Sequence, residues 1–206
     1  MLPDAIPHEA AFTAVDFESA GVMKGSTDTP IQIGLVLVQG LELANAQPYV
    51  SYLHTDRPIT WQASQVHGIT TAALRDAPSL TSLWPEVKAR LGGRIVVAHG
   101  AGTEKRFLRA FPLHGFGPWL DTLTLARRFW PGVRDYSLET LIMAGGLHEE
   151  LELICPGRRF HDALYDAFAS LLLMRHLVHH AGLEKVPMGQ WMTGGWYVGR
   201  SSKGRG

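Results

Sequence analysis

The run AFTAVDF at residues 11–17 is short, apolar and β-prone, and it ends in acids. That is the pattern of a buried strand carrying side chains to its carboxyl end. After GVMKGSTDTP, a loop rich in Gly, Ser, Thr and Pro, IQIGLVLV at 31–38 is the clearest strand in the chain. A third strand near Pro48 to Leu53 makes an antiparallel meander of the three, and RIVVAH at 94–99 is a further buried strand. Helical signals occupy the rest. They run from Trp61 to His67 and from Leu80 to Leu91, the latter entered through Pro78 and Ser79 and closed by Gly92 and Gly93. Phe107, Leu108 and Phe111 give helical spacing over 103–111, and Asp121 is a natural N-cap for a helix reaching Trp130, stopped by Pro131 and Gly132. Ser137 to Met143 opens like a capped helix, and the last long helix runs from Asp162 to His180. Strands first, then helices alternating with strands, predict an α/β fold with a mixed sheet flanked by helices.

With 206 residues, of which 46% are hydrophobic and 18% charged, the chain has the material for one domain with a core. The expected division is a domain over 1–182 and a C-terminal extension over 183–206, where a Gly-, Ser-, Lys- and Arg-rich ending predicts partial mobility. Nineteen Lys and Arg balance nineteen Asp and Glu, which excludes a broadly cationic coat for nucleic acid and leaves only a local patch. Cys155 is the one cysteine, so the fold owes nothing to an internal disulfide or a multi-cysteine zinc site. The apolar stretch from Ala167 to Val178 is interrupted by Ser170, Arg175 and His176 and is too short for a membrane span. The first fifteen residues lack the pattern of a signal peptide. The expectation is a cytoplasmic protein with no membrane partner.

Three features bear chemistry. Asp16 and Glu18 lie two apart at the end of the first strand, so period-two geometry sends both carboxylates to one face. Two converging acids ask for a cation, and hard Mg²⁺ or Mn²⁺ suits oxygen ligands; a pair of solvated acids at a strand end has the same pattern. His161 and Asp166 stand five apart at the start of the last helix. On an ideal helix they would point about 140° away from each other, so convergence requires His161 to sit on the entry turn. A histidine at the core edge and a polar-face acid are the plain alternatives. In VVAHGAGTEKRFL a buried strand passes through a Gly-containing loop into a helix with Glu104 in its first turn, which the helix dipole alone would favour.

In order along the chain, AVDFES, VHGIT (66–70), VVAHGAGTEKRFL, LDTLTLARRF and HDALYDA resemble the DEDDh branch of the DnaQ-like 3′–5′ exonucleases, over residues 11–172. The resemblance implies a ribonuclease H-like fold with a mixed five-stranded sheet, the first three strands an antiparallel meander and the remaining strands parallel, flanked by helices. It also implies two divalent ions, Mg²⁺ or Mn²⁺, held by Asp16, Glu18, Glu104 and Asp166, with His161 as general base toward the attacking water. The implied substrate is the 3′ end of single-stranded DNA or RNA, with Phe17, Ser19 and His67 as candidate contacts; Phe17, which alternates with the two acids, points equally well into the core. This chain departs from the family pattern at Gly100, where Asn is usual, at Thr103 and Glu104, where an aromatic and Asp are usual, and at Ser19, where Thr is common. Glu104 keeps the charge but lengthens the reach by a methylene, which leaves open a non-catalytic nucleic-acid- or protein-binding module on the same fold. Cations for the phosphate backbone are sought among Lys105, Arg106 and Arg109, or Arg127, Arg128, Arg158 and Arg159, with Arg200, Lys203 and Arg205 for tethering. Trp191, Trp196 and Tyr197 are either base-stacking residues or groups that pack on the domain or a partner. A DNA polymerase complex, with the tail as docking segment, and a homodimer are the protein partners the family allows.

Overall fold

The computed structural model describes residues 4–25 and 27–192. Five strands, β1 (Ala11–Ser19), β2 (Pro30–Gln39), β3 (Gln47–Tyr52), β4 (Ile95–Ala98) and β5 (Trp119–Asp121), form one sheet in the order β3-β2-β1-β4-β5. β1, β2 and β3 pair antiparallel, while β4 lies parallel to β1 and β5 parallel to β4. This is the expected ribonuclease H-like arrangement. The chain reading marked four of these strands; β5, three residues long, is too short to give a periodic signal.

Eight helices occupy the described residues: α1 (Trp61–His67), α2 (Trp84–Leu91), α3 (Gly102–Leu108), α4 (Thr122–Phe129), α5 (Leu138–Ala144), α6 (His148–Ile154), α7 (Ala163–His180) and α8 (Met188–Trp191). The segment read as one helix over 80–91 is two pieces. A 3-10 turn at Leu80–Leu83 is capped by the Ser79 hydroxyl, and the α-helix restarts at Trp84 with Pro85 in its first turn. Proline has no N–H to give to a preceding turn, so it opens a helix rather than continuing one. α6 was not foreseen from the sequence; it has seven residues and no side-chain cap.

Alternation along β1 divides the core. Phe12 and Ala14 pack on one face with α7, whose length is nearly all buried, while Val15 and Phe17 pack on the other with α2 and α3. α7 comes unusually close to β2: a Cβ on Gly34 would lie 2.2 Å from the Ala163 carbonyl oxygen and 2.5 Å from the Leu164 nitrogen. Only glycine permits that approach. The first residues of the expected extension belong to the packed body, since Leu183, Met188 and Trp191 are at most 1% exposed within the α7 core. The Met188 N–H donates to the Ala5 carbonyl at 3.0 Å, tying the two ends of the described chain together. Residues 193–206, with the expected mobile ending, lie outside the described residues. Among the described residues no helix is long and apolar enough to cross a membrane.

Candidate active site

The sheet sets the two acids of β1 opposite two residues of β2: Asp16 pairs with Gly34 and Glu18 with Gln32. α7 begins against this same patch. Asp162 caps it, its Oδ1 accepting from the N–H groups of Leu164 and Tyr165, and Asp166 stands in the first turn. His161 precedes the cap, outside the helix, with φ of +66°. In that left-handed conformation its N–H donates to Asp166 Oδ2 at 3.1 Å. The ligand-capable atoms of Glu18, His161 and Asp166 consequently lie within 4.8 Å of one another. The entry turn meets the condition that a five-residue spacing imposes.

Glu104 arrives from the other side of β1, in the first turn of α3, and is 5% exposed. The turn that launches α3 is held by Asp121. Its Oδ1 accepts from Gly100 N–H and Leu123 N–H, and its Oδ2 accepts from Ala101 N–H at 3.2 Å. One carboxylate therefore caps α4 and fixes the strand-to-helix turn that carries the acid. His99 is bonded at both ring nitrogens, to Thr122 Oγ1 and to the Tyr136 carbonyl, which makes it a brace between β4 and the helices beside it.

Electrostatics single out the cluster. Loss of solvation, then the charges of Asp166, Glu104, Glu18 and Asp162, hold Asp16 well above the usual carboxylate range. Burial, with Asp166 and Asp162 nearby, pushes Glu18 up to about 8. Burial raises Glu104 to about 7, with Asp121 adding to the effect. Asp166 is likewise raised to about 7 by burial, against the opposing hydrogen bond from His161 N–H. Glu104 Oε2 and Asp166 Oδ1 are buried without a hydrogen-bond partner. Buried acceptors are normally satisfied, so clustered acids with orphaned oxygens fit a hard divalent cation, and the oxygen-rich donor set matches one.

Beside the acids lies a groove of about 470 Å³ walled by Glu18, Ser19, Val22, Ala63, Val66 and His67. His67 also borders a second recess, of about 480 Å³, with Arg158, Arg159, His161 and Asp162. Ile69 N–H donates to His67 Nδ1, so the proton sits on Nε2, which faces the Ser19 carbonyl at 3.2 Å. Burial lowers the His67 pKa, so the ring is a neutral wall between the two recesses. Phe17 is placed elsewhere. It is 7% exposed on the opposite face of the sheet, edge-on to Phe107 at 5.4 Å, because it alternates with the two acids. Most of the candidate cations are engaged. Arg106 reaches Asp28, Lys105 covers Trp119, Arg127 covers Tyr136, Arg128 bonds the Trp191 carbonyl and Arg158 pairs with Asp162. The side chains of Arg109 and Arg159 make no ion pair, hydrogen bond or ring contact among the described residues. Arg200, Lys203, Arg205, Trp196 and Tyr197 lie outside the described residues.

Residues 13–174 match the RNase_T family, described as Exonuclease. The chain belongs to this exonuclease family. Within it, the chain is 32% identical over 168 residues to Exodeoxyribonuclease 10 of Escherichia coli K12, covering 82% of this chain and 69% of that one. It is 33% identical over 164 residues to DNA polymerase III PolC-type of Thermotoga maritima, matching 77% of this chain but only 11% of the polymerase. Among solved structures, Exonuclease X in complex with 5′ overhanging duplex DNA superposes with a TM-score of 0.65 at 28% identity, covering 85% of this chain and 97% of that one. The nuclease domain of 3′hExo, a DEDDh member bound to rAMP, has a TM-score of 0.67 at 16% identity, covering 87% and 96% of the two chains, and shares the fold. The protein is thus an exonuclease of the RNase_T family, and Glu104 stands where the sequence resemblance leads one to expect Asp.

Gln32, Gly34 and Asp121 were not among the site residues sought in the sequence. A glycine in the middle of the strand IQIGLVLV was a usable signal for a close backbone approach. Nothing local distinguished Gln32, whose partner Asp162 is 130 residues away.

Proposed function

We propose that this protein is a divalent-metal-dependent 3′–5′ exonuclease that removes nucleotides from single-stranded 3′ ends. The observation that carries the reading is the set of four clustered acids, two with orphaned buried oxygens, beside an exposed histidine. The relatives named for deoxyribonuclease and polymerase activity favour DNA, with RNA as the alternative substrate.

Asp16, Glu18, Glu104 and Asp166 would hold two Mg²⁺ or Mn²⁺ ions, which supply activation of water and neutralise charge on the phosphate. His161 stands beside Glu18 and Asp166 and is open to solvent, so a ring nitrogen is available to take the proton of the attacking water. Water oxygen bonds to phosphorus, the bond from phosphorus to the upstream 3′ oxygen breaks, and a nucleoside 5′-monophosphate leaves. The groove at Ser19 and His67, with Val22, Ala63 and Val66 as its apolar walls, takes the terminal nucleoside. Phe17 packs against Phe107 on the opposite face of the sheet and does not line this groove.

The test is degradation of 5′-labelled single-stranded DNA and RNA oligonucleotides with Mg²⁺, Mn²⁺ or EDTA, alongside Asp16→Asn. A metal-dependent ladder that shortens from the 3′ end and disappears in the variant is expected. Binding without cleavage would favour the second reading, a non-catalytic module, for which the longer Glu104 is the specific observation. Association with a polymerase or with a second copy of the chain is tested separately, by pull-down and by solution mass with and without residues 183–206.

A further inference from the structure

Gln32 is 2% exposed and lies in no core cluster, yet both ends of its amide are used. Its Oε1 accepts from Ala163 N–H at 3.0 Å, and its Nε2 donates to Asp162 Oδ2 at 3.3 Å. The same Oδ2 receives Arg158 Nη1 at 2.6 Å, while the other oxygen of Asp162 caps α7. Asp162 N–H donates back to the Arg159 carbonyl, closing a tight turn with His161 between its ends. A non-glycine residue at φ +66° is held there only if its surroundings over-determine it. Three restraints act on this turn: the hydrogen bond from His161 N–H to Asp166, the Gln32 amide on the next two residues, and the Arg158 clamp.

The register explains why β2 supplies the latch. Gln32 stands directly across from Glu18, and Gly34 across from Asp16. Gly34 lets the first turn of α7 settle on the sheet, and Gln32 pins it in that position. Strand β2 thereby sets the distance between the acids of β1 and the histidine that precedes α7. The residue type is also specified. A carboxylate at position 32 would face Asp162, an apolar side chain would orphan the Ala163 N–H, and an amide satisfies both partners.

We infer that Gln32 and Arg158, acting through Asp162, are positioning residues that hold the His161 ring over the acid cluster. This rests on the reading of His161 as general base. Loss of the latch lets the turn relax from its left-handed conformation, so the chemical step suffers while metal and substrate binding do not.

Gln32→Leu and Arg158→Gln are compared with wild type and His161→Ala on a single-stranded oligonucleotide. Arg158 is partly exposed, so its variant folds even where the loss of Gln32 weakens the domain. The expected result is a fall in kcat of about 10- to 100-fold for Gln32→Leu and a smaller fall for Arg158→Gln, with KM and Mn²⁺ affinity unchanged. The imidazole NMR signal of His161, assigned by its loss in His161→Ala, is expected to shift or broaden in both variants while that of His99 stays in place. Unchanged kcat and an unmoved His161 signal in either folded variant overturn the inference, as does an equal loss of metal affinity. Full activity in His161→Ala overturns the general-base reading instead, and the NMR signal still reports whether the latch orders the ring.

Discussion

Replacing Glu104 by Gln should make the metal-free protein more stable at pH 8 and no more stable near pH 4.5. Glu104 is 5% exposed and its pKa is raised from 4.5 to about 7, mainly by burial. The folded protein therefore keeps a proton that the unfolded chain gives up over that interval, and the stability present below the unfolded value is lost as pH rises through the folded one. Raising the carboxyl from 4.5 to about 7, at about 1.36 kcal/mol per pH unit, amounts to roughly 3 kcal/mol. Gln keeps the shape, abolishes the charge and removes one of the anions that act on Asp16. Its NH₂ inherits a position where Oε2 has no partner, so about 1 kcal/mol is subtracted and roughly 2 kcal/mol of net gain remains. The assay is urea denaturation in EDTA at both pH values for wild type and variant. Added Mn²⁺ should narrow the difference, because an ion at 100 times its Kd stabilises the wild type by about 2.7 kcal/mol and the variant by less, and should reverse it where the variant gains under about 0.7 kcal/mol. A difference that does not change with pH, or a variant less stable than wild type at pH 8 in EDTA, would refute the reasoning.

Asp16→Asn should lower kcat by about 10³-fold while raising metal-free stability at pH 8, measured by oligonucleotide turnover and thermal melting in EDTA. His161→Ala should cost about 10²- to 10⁴-fold in kcat with unaltered Mn²⁺ binding by titration calorimetry; a variant as fast as wild type removes His161 from the chemistry. Gly34→Ala drives a methyl group into the backbone of Ala163 and Leu164, and chemical denaturation should show a loss of about 3 kcal/mol together with reduced turnover. His99→Ala removes two hydrogen bonds from a half-buried brace and should destabilise by about 1–3 kcal/mol. Burial lowers the His99 pKa, so the wild type gives up part of that advantage as pH falls below about 6.5, and equal stability losses at pH 5 and 8 would contradict this.

The parts of the fold that could be read from the sequence are those whose cause is local. β1 and β2 announce themselves by continuous β-prone runs, and Asp121 and Ser137 by capping chemistry that acts within three residues. The convergence of Asp16 and Glu18 follows from strand period alone. His161 and Asp166 are different, because their meeting depends on a left-handed residue that no helical period encodes. Hidden from the sequence were arrangements made across long separations: Gln32 with Asp162, and Asp121 with the turn before Glu104. Phe17 is the opposite case, because the alternation that decides its place is local. Motif position made it a neighbour of the acids, but alternation placed its ring in the core.

The hydrogen bond between Ala5 and Met188 has a topological consequence. The two ends of the described chain meet at this bond, shortly before the chain enters β1 at Ala11. A domain whose ends lie side by side can be spliced into a longer polypeptide through two neighbouring strands of linker, with little demand on its host.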